Sequence, residues 1–141
     1  LRTKEDQIGL IEGIKEGIVD VITSNHQPHE NEIREVEFPI APMGCIGTQI
    51  AFPMALTYLL DELNLETIVK TMSINPRSIL QTDIPVIKEG FIANLTLFDT
   101  HTEWKFDKSS NSSLSENTPM LDSTLKGKVH GTILGNYLHF S

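Results

Sequence analysis

The 141-residue sequence predicts an α/β fold, and three observations indicate it. A helix-forming segment precedes a continuous β-branched run. A long loop with polar, ligand-type side chains then leads into a second helical segment, which completes one β/α unit. In the later part of the chain the pattern becomes mainly β, and in residues 93–99 apolar residues alternate with polar ones, as they do in strands. We therefore predict two domains, a helix–strand–helix part over residues 1–82 and a mainly β part over residues 83–141.

The first helix is predicted over residues 3–17. Thr3 and Asp6 have the spacing of a capping box, in which the two side chains satisfy free backbone N–H groups. Isoleucines then recur at every third residue, and Gly17 is placed to end the helix. The run 18–23 that follows lacks in/out alternation, which favours a strand buried on both faces, as in a parallel sheet.

Residues 24–47 have little periodicity and contain three prolines, so they are predicted to form a long loop of the kind that usually carries function. A second helix is predicted over residues 48–63, and Pro53 should restrict its first turn or bend it. Asn64 is expected to cap a third helix. Asn75, which is followed by proline, is expected to cap a fourth.

The second part of the chain is predicted to contain strands at residues 93–99, 129–134 and 137–140. The pair Gly135–Asn136 lies between the last two and is a favourable two-residue hairpin turn. Residues 108–117 are rich in serine and asparagine, so we predict a loop between the first two strands.

Charge and composition restrict the possible partners. The chain has 11 basic and 19 acidic side chains, a formal net charge of −8, and an acidic surface repels the phosphates of nucleic acid. Neither a run of about 18 apolar residues nor a signal peptide is recognisable, so no membrane partner is expected and a cytoplasmic location is predicted. With one cysteine, the chain can form no internal disulfide. Because it begins with Leu1, we expect a fragment or a processed product.

Two stretches contain candidate functional residues. Asn25, His26 and His29 come directly after the predicted strand, where α/β folds place their sites. Two imidazoles there suit a metal or anion site, although ordinary loop hydrogen bonds would explain them as well. The glycines of Pro42–Gly47 would let the backbone approach a ligand, or they would simply form a turn into the second helix. Cys45 is expected to be a small packed thiol rather than a nucleophile.

These stretches carry a resemblance to a known family. "DVITSNHQPH" resembles the last barrel strand of dihydroorotases, which reads Asp-Val-Ile-Ala-Thr-Asp-His-Ala-Pro-His, and "APMGCIG" resembles their Ala-Pro-Phe-Gly-x-x-Gly loop. "NPRSIL", "EGFIANLTLFD" and "NTPM…LKGKVHGTILG" are similar to their C-terminal signatures. The matches occur in order over nearly the whole chain. The sequence thus resembles the C-terminal portion of a class I dihydroorotase of the amidohydrolase superfamily, with allantoinases and hydantoinases as near relatives.

The resemblance implies a fold and a cofactor. Residues 1–82 would be the last strand and helices of a (β/α)8 TIM barrel, and residues 83–141 would be part of a small β-sandwich with a Ser/Asn-rich loop. The family uses two zinc ions. Most of their ligands would lie outside this chain, in a missing N-terminal part of the same protein.

The resemblance also implies roles for individual residues. Asn25 occupies the place of the catalytic Asp, whose carboxylate binds metal and passes a proton to the leaving amide nitrogen. An amide cannot act as a general base, the loss of which costs about 10²–10⁴-fold in rate, and it is a weak metal ligand at best. His29 matches a residue that contacts the substrate carboxylate, and Pro42 and Gly44 match a loop that contacts the substrate ring. His26 matches a supporting histidine.

The implied function is reversible hydrolysis of dihydroorotate to N-carbamoyl-aspartate in pyrimidine biosynthesis by zinc-activated water, impaired by Asn25. Met43 in place of Phe and Gln49 in place of Glu are milder departures from the family. One alternative is a non-catalytic homologue that serves as a structural partner of aspartate carbamoyltransferase. Another is an allantoinase or hydantoinase. The expected partners are a small cyclic amide and either a second copy of the chain or aspartate carbamoyltransferase.

Overall fold

The polypeptide runs from helices into an antiparallel sheet, in the order that the sequence predicts. The computed structural model describes residues 3–140, and residues 1, 2 and 141 of the predicted domains lie outside the described residues. The helices are α1 (Lys4–Lys15), α2 (Asn31–Arg34), α3 (Ala51–Leu59), α4 (Leu65–Val69) and α5 (Asn75–Ile79), with the π-helical segment Lys70–Ile74 between α4 and α5. The strands are β1 (Asn94–Phe106), β2 (Ser123–Leu134) and β3 (Tyr137–Phe140), which form one sheet of order β1-β2-β3. Among the described residues, no helix is both long and apolar enough to cross a membrane.

Helix α1 begins with the predicted capping box. The hydroxyl of Thr3 accepts a hydrogen bond from the Asp6 backbone at 3.1 Å, and the Asp6 carboxylate accepts one from the Thr3 backbone at 3.0 Å. A cap of this kind stabilises a helix by about 1 kcal/mol. Gly17 follows the helix with a φ of +71°, a left-handed conformation that glycine adopts without steric cost. Both predicted ends of α1 are therefore confirmed to within two residues.

The strand predicted at residues 18–23 is not formed within the described residues, where this segment has no pairing partner. The backbone N–H groups of Ile18 and Val19 donate to the carbonyl of Gly13, at 2.8 and 2.9 Å. Ile22 donates to the carbonyl of Thr71, in the π-helical segment, at 3.1 Å. The segment is thus held by helices on either side of it, and it belongs to no sheet.

The physical reason is that a strand exists only where a neighbour completes its hydrogen-bond ladder. Within residues 3–140, the nearest parallel pairing is a single bridge between His26 and Cys45. The β-branched run supplies an extended backbone, but the described residues offer it no adjacent strand. Ile18 is consequently 73% exposed instead of buried.

The helices after residue 50 differ from prediction at two places. α3 is shorter than the predicted 48–63, with Pro53 buried in its first turn, where a missing N–H costs nothing. The predicted cap by Asn75 is wrong, because Asn75 is helical and its N–H donates to the carbonyl of Lys70, five residues earlier. Pro76 has no N–H and its ring excludes a normal turn, so the helix widens here and continues.

Asn64 behaves as predicted. Its side-chain oxygen accepts a hydrogen bond from the Thr67 backbone at 2.8 Å, and α4 begins directly after it. This cap satisfies one of the backbone donors that the first turn of any helix leaves free.

The hairpin of β2 and β3 is also confirmed, with Gly135 at a φ of +58° in the turn. β1 and β2 are longer than predicted, because Trp104 and Phe106 extend the pairing beyond the alternating segment. The indole N–H of Trp104 donates to the carbonyl of Gly127 at 2.9 Å, which fixes the far end of the two strands. Two register shifts interrupt the pairing, and the alternation of buried and exposed residues along β1 breaks with them. The Ser/Asn-rich segment 108–117 is a loop, as predicted.

The core lies where α3 packs on β2. One cluster of buried residues joins the loop before α3 to the sheet, and a second joins α3 to α4; their members are Ile46, Ile50, Phe106 and Leu125, and Ala55, Leu56, Leu63 and Ile68. α3 approaches the sheet closely at Gly127, since a Cβ there would lie 2.2 Å from Cδ1 of Leu56. Nearby, the hydroxyl of Thr57 accepts a hydrogen bond from the Lys126 backbone at 2.8 Å. Side chains of α3 thus pack directly against the backbone of β2. The loops before α3 are held beside the sheet as a result.

Candidate functional site

The two stretches that the sequence singles out lie side by side. The segment that follows residue 23 runs parallel to the segment that precedes α3, and a bridge joins His26 to Cys45. The backbone N–H of Gln27 donates to the carbonyl of Cys45 at 2.9 Å. Residues separated by about 20 positions in the sequence therefore form one local surface.

His26 joins these two segments through its ring. Its Nδ1 atom lies 3.0 Å from the backbone nitrogen of Gly47 and 3.3 Å from that of Thr48. Both backbone groups are donors, so Nδ1 must accept and the ring proton of a neutral His26 must be on Nε2. With its Nδ1 lone pair engaged, His26 contacts the loop before α3, and the supporting role that the resemblance implies for it stays a prediction.

His29 lies against the loop that contains Pro42 and Gly44. Its Nε2 atom is 3.1 Å from the carbonyl oxygen of Met43, and since a carbonyl can only accept, Nε2 must donate. The side chain is half-buried. The structure thus brings together the histidine and the loop that the resemblance assigns to substrate binding.

The position of Gly44 can hold only a glycine. Its φ is +115°, in the region that favours glycine, and a Cβ at this position would lie 2.2 Å from Oε1 of Gln27. The close approach that the sequence suggested is real, but here the neighbour is a side chain of the same protein. A ligand at this backbone stays a prediction.

Asn25 is at an exposed tip with a φ of +42°, a conformation that asparagine tolerates better than most residues. Its Oδ1 atom accepts a hydrogen bond from Nε2 of Gln27 at 3.2 Å. The amide oxygen of Asn25 is therefore already engaged within the protein, and its correspondence to the family carboxylate stays a prediction.

Asn117 is the residue that sequence reasoning missed. It is 0% exposed, and its Nδ2 lies 2.9 Å from the carbonyl oxygen of Gln27 and 3.4 Å from that of Gly44. Its Oδ1 accepts from the His29 backbone at 3.3 Å and lies 2.6 Å from the hydroxyl of Ser115. The motif "NTPM" was visible in the sequence, but a polar residue at the end of a Ser/Asn-rich loop reads as solvated.

Gln49 holds the other side of the same loop. Its amide nitrogen donates to the carbonyl of Ser110 at 2.6 Å, and its amide oxygen accepts from the backbone of Ser112 at 2.8 Å. A glutamate, the residue that the family has here, could accept the second hydrogen bond but could not donate the first. A cleft of about 250 Å³ lies between this loop and the segment that precedes α3, and it is lined by residues that include His26, Thr48, Gln49, Asn111 and Ser112.

A metal centre is not formed by the described residues alone. Between residues 3 and 140 no group of three or more His, Cys, Asp or Glu side chains is placed to hold an ion. The Oδ1 atom of Asn25 and the Nδ1 atom of His26 are both occupied by hydrogen bonds within the protein. These residues do not fit a zinc site by themselves.

No protein-family model matches the chain. Among curated proteins, it is 42% identical over 135 residues to a dihydroorotase from Aquifex aeolicus, with 94% of this chain and 32% of that protein covered. It is 38% identical over 137 residues to a dihydroorotase from Ruminiclostridium cellulolyticum, with 96% of this chain and 32% of that protein covered. The chain therefore spans about a third of the length of the curated relatives that it matches.

Solved structures agree at the level of the fold. An L-hydantoinase (dihydropyrimidinase) from Arthrobacter aurescens superposes with a TM-score of 0.83 at 25% identity, covering 96% of this chain and 32% of that one. The inactive dihydroorotase-like domain of a CAD-like multifunctional protein from Chaetomium thermophilum superposes with a TM-score of 0.69 at 20% identity, covering 98% of this chain and 36% of that one. The identities to the curated proteins show that this chain is similar to about a third of a dihydroorotase, and the superposition on the L-hydantoinase agrees with that likeness in fold.

Proposed function

We propose that the protein carrying this chain is a cyclic amidohydrolase of the dihydroorotase type, which interconverts dihydroorotate and N-carbamoyl-aspartate in pyrimidine biosynthesis. The observation that carries the proposal is the 42% identity to a dihydroorotase over 135 residues. The adjacency of His29 and the loop of Pro42 and Gly44 supports it, because these positions come from separate motifs and meet at one surface.

In this proposal, the His29 side chain contacts the substrate carboxylate. The backbone of Pro42 and Gly44 offers carbonyl and N–H groups to the amide edge of the ring. Backbone groups suit this task because a cyclic amide presents one donor and one acceptor on neighbouring atoms. The φ of Gly44 and the contact of His29 with Met43 support a loop held in one conformation before substrate arrives.

Catalysis is impaired by Asn25. A carboxylate at this position would accept a proton and return it to the leaving nitrogen, whereas an amide does neither at neutral pH. The hydrogen bond from Gln27 also occupies the amide oxygen. We place the zinc ligands that the family requires in parts of the protein beyond the described residues, and assign to Asn25 only weak contact with a metal.

We further propose that residues 18–23 are the last strand of a (β/α)8 barrel and that residues 83–141 are part of a β-sandwich, with the boundary near residue 82. Extended backbone without a ladder supports this arrangement for the first segment. Exposed apolar side chains support it for the second: Ile87 is 90% exposed and Ile92 is 82% exposed, which is the state expected of surfaces that another part of a larger protein covers.

Two other functions follow from specific observations. The neutral Asn25 favours a non-catalytic subunit that supports aspartate carbamoyltransferase, and one of the structural neighbours is itself an inactive domain of a multifunctional protein. The superposition on an L-hydantoinase favours a hydantoinase or allantoinase activity. The higher sequence identity to dihydroorotases places dihydroorotate first.

The test compares dihydroorotate hydrolysis by the unmodified protein and by the Asn25→Asp variant, with the exposed hairpin substitution Asn136→Asp as a control for added charge. We expect weak turnover in the unmodified protein and in the control, and an increase of about 10²–10⁴-fold in Asn25→Asp. Turnover by the unmodified protein as fast as that of the variant would contradict the impairment. Turnover of hydantoin or allantoin in its place would favour the related enzymes. Co-purification with aspartate carbamoyltransferase, without turnover by either protein form, would favour the structural role.

A further inference from the structure

We propose that Asn117 is a positioning residue of this site. Its side chain holds His29 and the backbone around Gly44 in a single arrangement. The inference rests on the proposed function only for the identity of the ligand, dihydroorotate. Asn117 belongs to the loop before β2, yet its side chain reaches the two segments that precede α3.

The burial of Asn117 gives the contact its strength. The side chain is 0% exposed, and every polar atom of the carboxamide has a partner among Gln27, Gly44, His29 and Ser115. Burying an amide without partners costs several kcal/mol, so a fully satisfied one is held to the geometry that satisfies it. The backbone contributes too, since the carbonyl of Asn117 accepts from the N–H of Ile46 at 3.1 Å.

The Asn117 carboxamide binds near both partners of the hydrogen bond between His29 and Met43. Through Oδ1 it receives the His29 backbone N–H, and through Nδ2 it binds the carbonyl of Gly44, which directly follows Met43. The distance of 3.1 Å between Nε2 of His29 and the carbonyl oxygen of Met43 is therefore set from two directions. Without Asn117, the histidine and the loop lose their shared support.

Ser115 completes the arrangement. Its hydroxyl lies 2.5 Å from the carbonyl oxygen of His29 and 3.3 Å from the His29 backbone nitrogen. It therefore supports the same residue as Asn117 does, from the same loop. Asn117 is nevertheless the only one of the two whose side chain also reaches Gln27 and Gly44 among the contacts of the described residues.

The experiment uses Asn117→Ala, with Asn64→Ala as the matched control. The control removes an asparagine that caps α4, so it reproduces general destabilisation without removing a hydrogen bond to His29. The readouts are hydrogen exchange at the His29 amide, resolved by fragmentation and mass spectrometry, and the Kd for dihydroorotate from calorimetry. We expect Asn117→Ala to lower the exchange protection of His29 and to weaken dihydroorotate binding, each by about tenfold, as for the loss of one strong hydrogen bond. The control should leave both unchanged.

A second variant, Asn117→Asp, separates positioning from folding. It keeps the shape of the side chain but replaces the donor that faces the carbonyls of Gln27 and Gly44. Burial among carbonyl oxygens raises the pKa of the introduced carboxyl, and its protonated form can donate one hydrogen bond again. Protection of His29, corrected for the intrinsic exchange rate, should therefore return as the pH falls and be lost as the pH rises through that raised pKa. A side chain that only fills space would give no such pH profile.

The outcomes are distinct. Unchanged His29 protection and unchanged Kd in Asn117→Ala would overturn the inference. If the unmodified protein does not bind dihydroorotate, while His29 protection still depends on Asn117, the positioning role stands and the proposed substrate is wrong. If Asn117→Ala does not fold, the pH profile of Asn117→Asp decides, and a flat profile counts against the inference.

Discussion

The amide oxygen of Asn25 accepts a hydrogen bond from the side chain of Gln27 at 3.2 Å, so two neutral carboxamides face each other at the end of the extended segment. In the dihydroorotase motif that this stretch resembles, the corresponding residues are an aspartate and an alanine. Gln27 also fills the space beside Gly44, where its Oε1 would collide with any added Cβ. The two departures therefore act on one another and are best tested together.

We expect Asn25→Asp alone to restore dihydroorotate turnover incompletely, because Gln27 still engages one oxygen of the introduced carboxylate. The double substitution Asn25→Asp, Gln27→Ala should be about tenfold faster again, the effect of releasing one charge-assisted hydrogen bond of about 1.5 kcal/mol. Steady-state kinetics of the single and double variants, with Gln27→Ala as the third arm of the cycle, measure the coupling. Strict additivity of the two substitutions would argue against it.

Gly127 and Gly9 provide a matched pair for stability. Gly127 has a φ of +83° and a Cβ there would lie 2.2 Å from Leu56, so Gly127→Ala combines backbone strain with overpacking. We expect it to lower the free energy of unfolding by about 2–4 kcal/mol. Gly9 is within α1 with no atom within 4 Å of an added Cβ, and Gly9→Ala should raise that free energy by about 0.5–1 kcal/mol. Urea denaturation of both variants measures the two effects, and equal midpoints would refute the packing of α3 on β2.

Asp99 should make stability depend on pH. Its Oδ1 accepts backbone hydrogen bonds from Thr102 at 2.6 Å and His101 at 3.0 Å, and its Oδ2 lies 2.7 Å from Nε2 of His130. The Thr102 N–H above all, with His130 next among the groups that favour the charged form, holds the pKa of the Asp99 carboxyl well below its ordinary value. A lowered pKa in the folded state stabilises the protein above the unfolded value of about 4, and this stability is lost as the pH falls below it.

The measurement compares urea midpoints at about pH 6 and about pH 3, on either side of the ordinary carboxyl pKa. Asp99→Asn should reduce the loss of stability between the two conditions. The control is Asp61→Asn, since the exposed Asp61 has no side-chain hydrogen bond or ion pair recorded between residues 3 and 140. An acid loss in Asp99→Asn that equals that of the unmodified protein would show that Asp99 does not contribute.

Features written in a few consecutive residues were predictable. The capping box of Thr3 and Asp6, the Asn64 cap and the hairpin turn at Gly135 depend on groups within three residues of each other. The state of residues 18–23 could not be predicted in this way, because a strand requires a neighbouring strand that the run itself does not encode. The cap at Asn75 failed for the opposite reason: a local signal was overridden by a helix that continues through it.

The candidate site shows the same division. His26, His29 and the glycine loop could be found from motifs, since their residue types are unusual at the end of a β-branched run. Asn117 could not, because its contacts with Gln27 and His29 bridge 90 and 88 positions of sequence. Burial of a polar side chain is a property of what surrounds it, and a Ser/Asn-rich loop gives no sign of its surroundings.

The π-helical turn has a consequence for the extended segment. In that spacing, the carbonyl of Thr71 would be assigned to the N–H of residue 76, but Pro76 has none, and Ile22 supplies the donor instead. The missing N–H of Pro76 thus determines where the extended segment, about 50 positions earlier in the chain, makes its hydrogen bond. Homologous sequences without this proline should show compensating changes around residue 22, so the two positions are expected to covary.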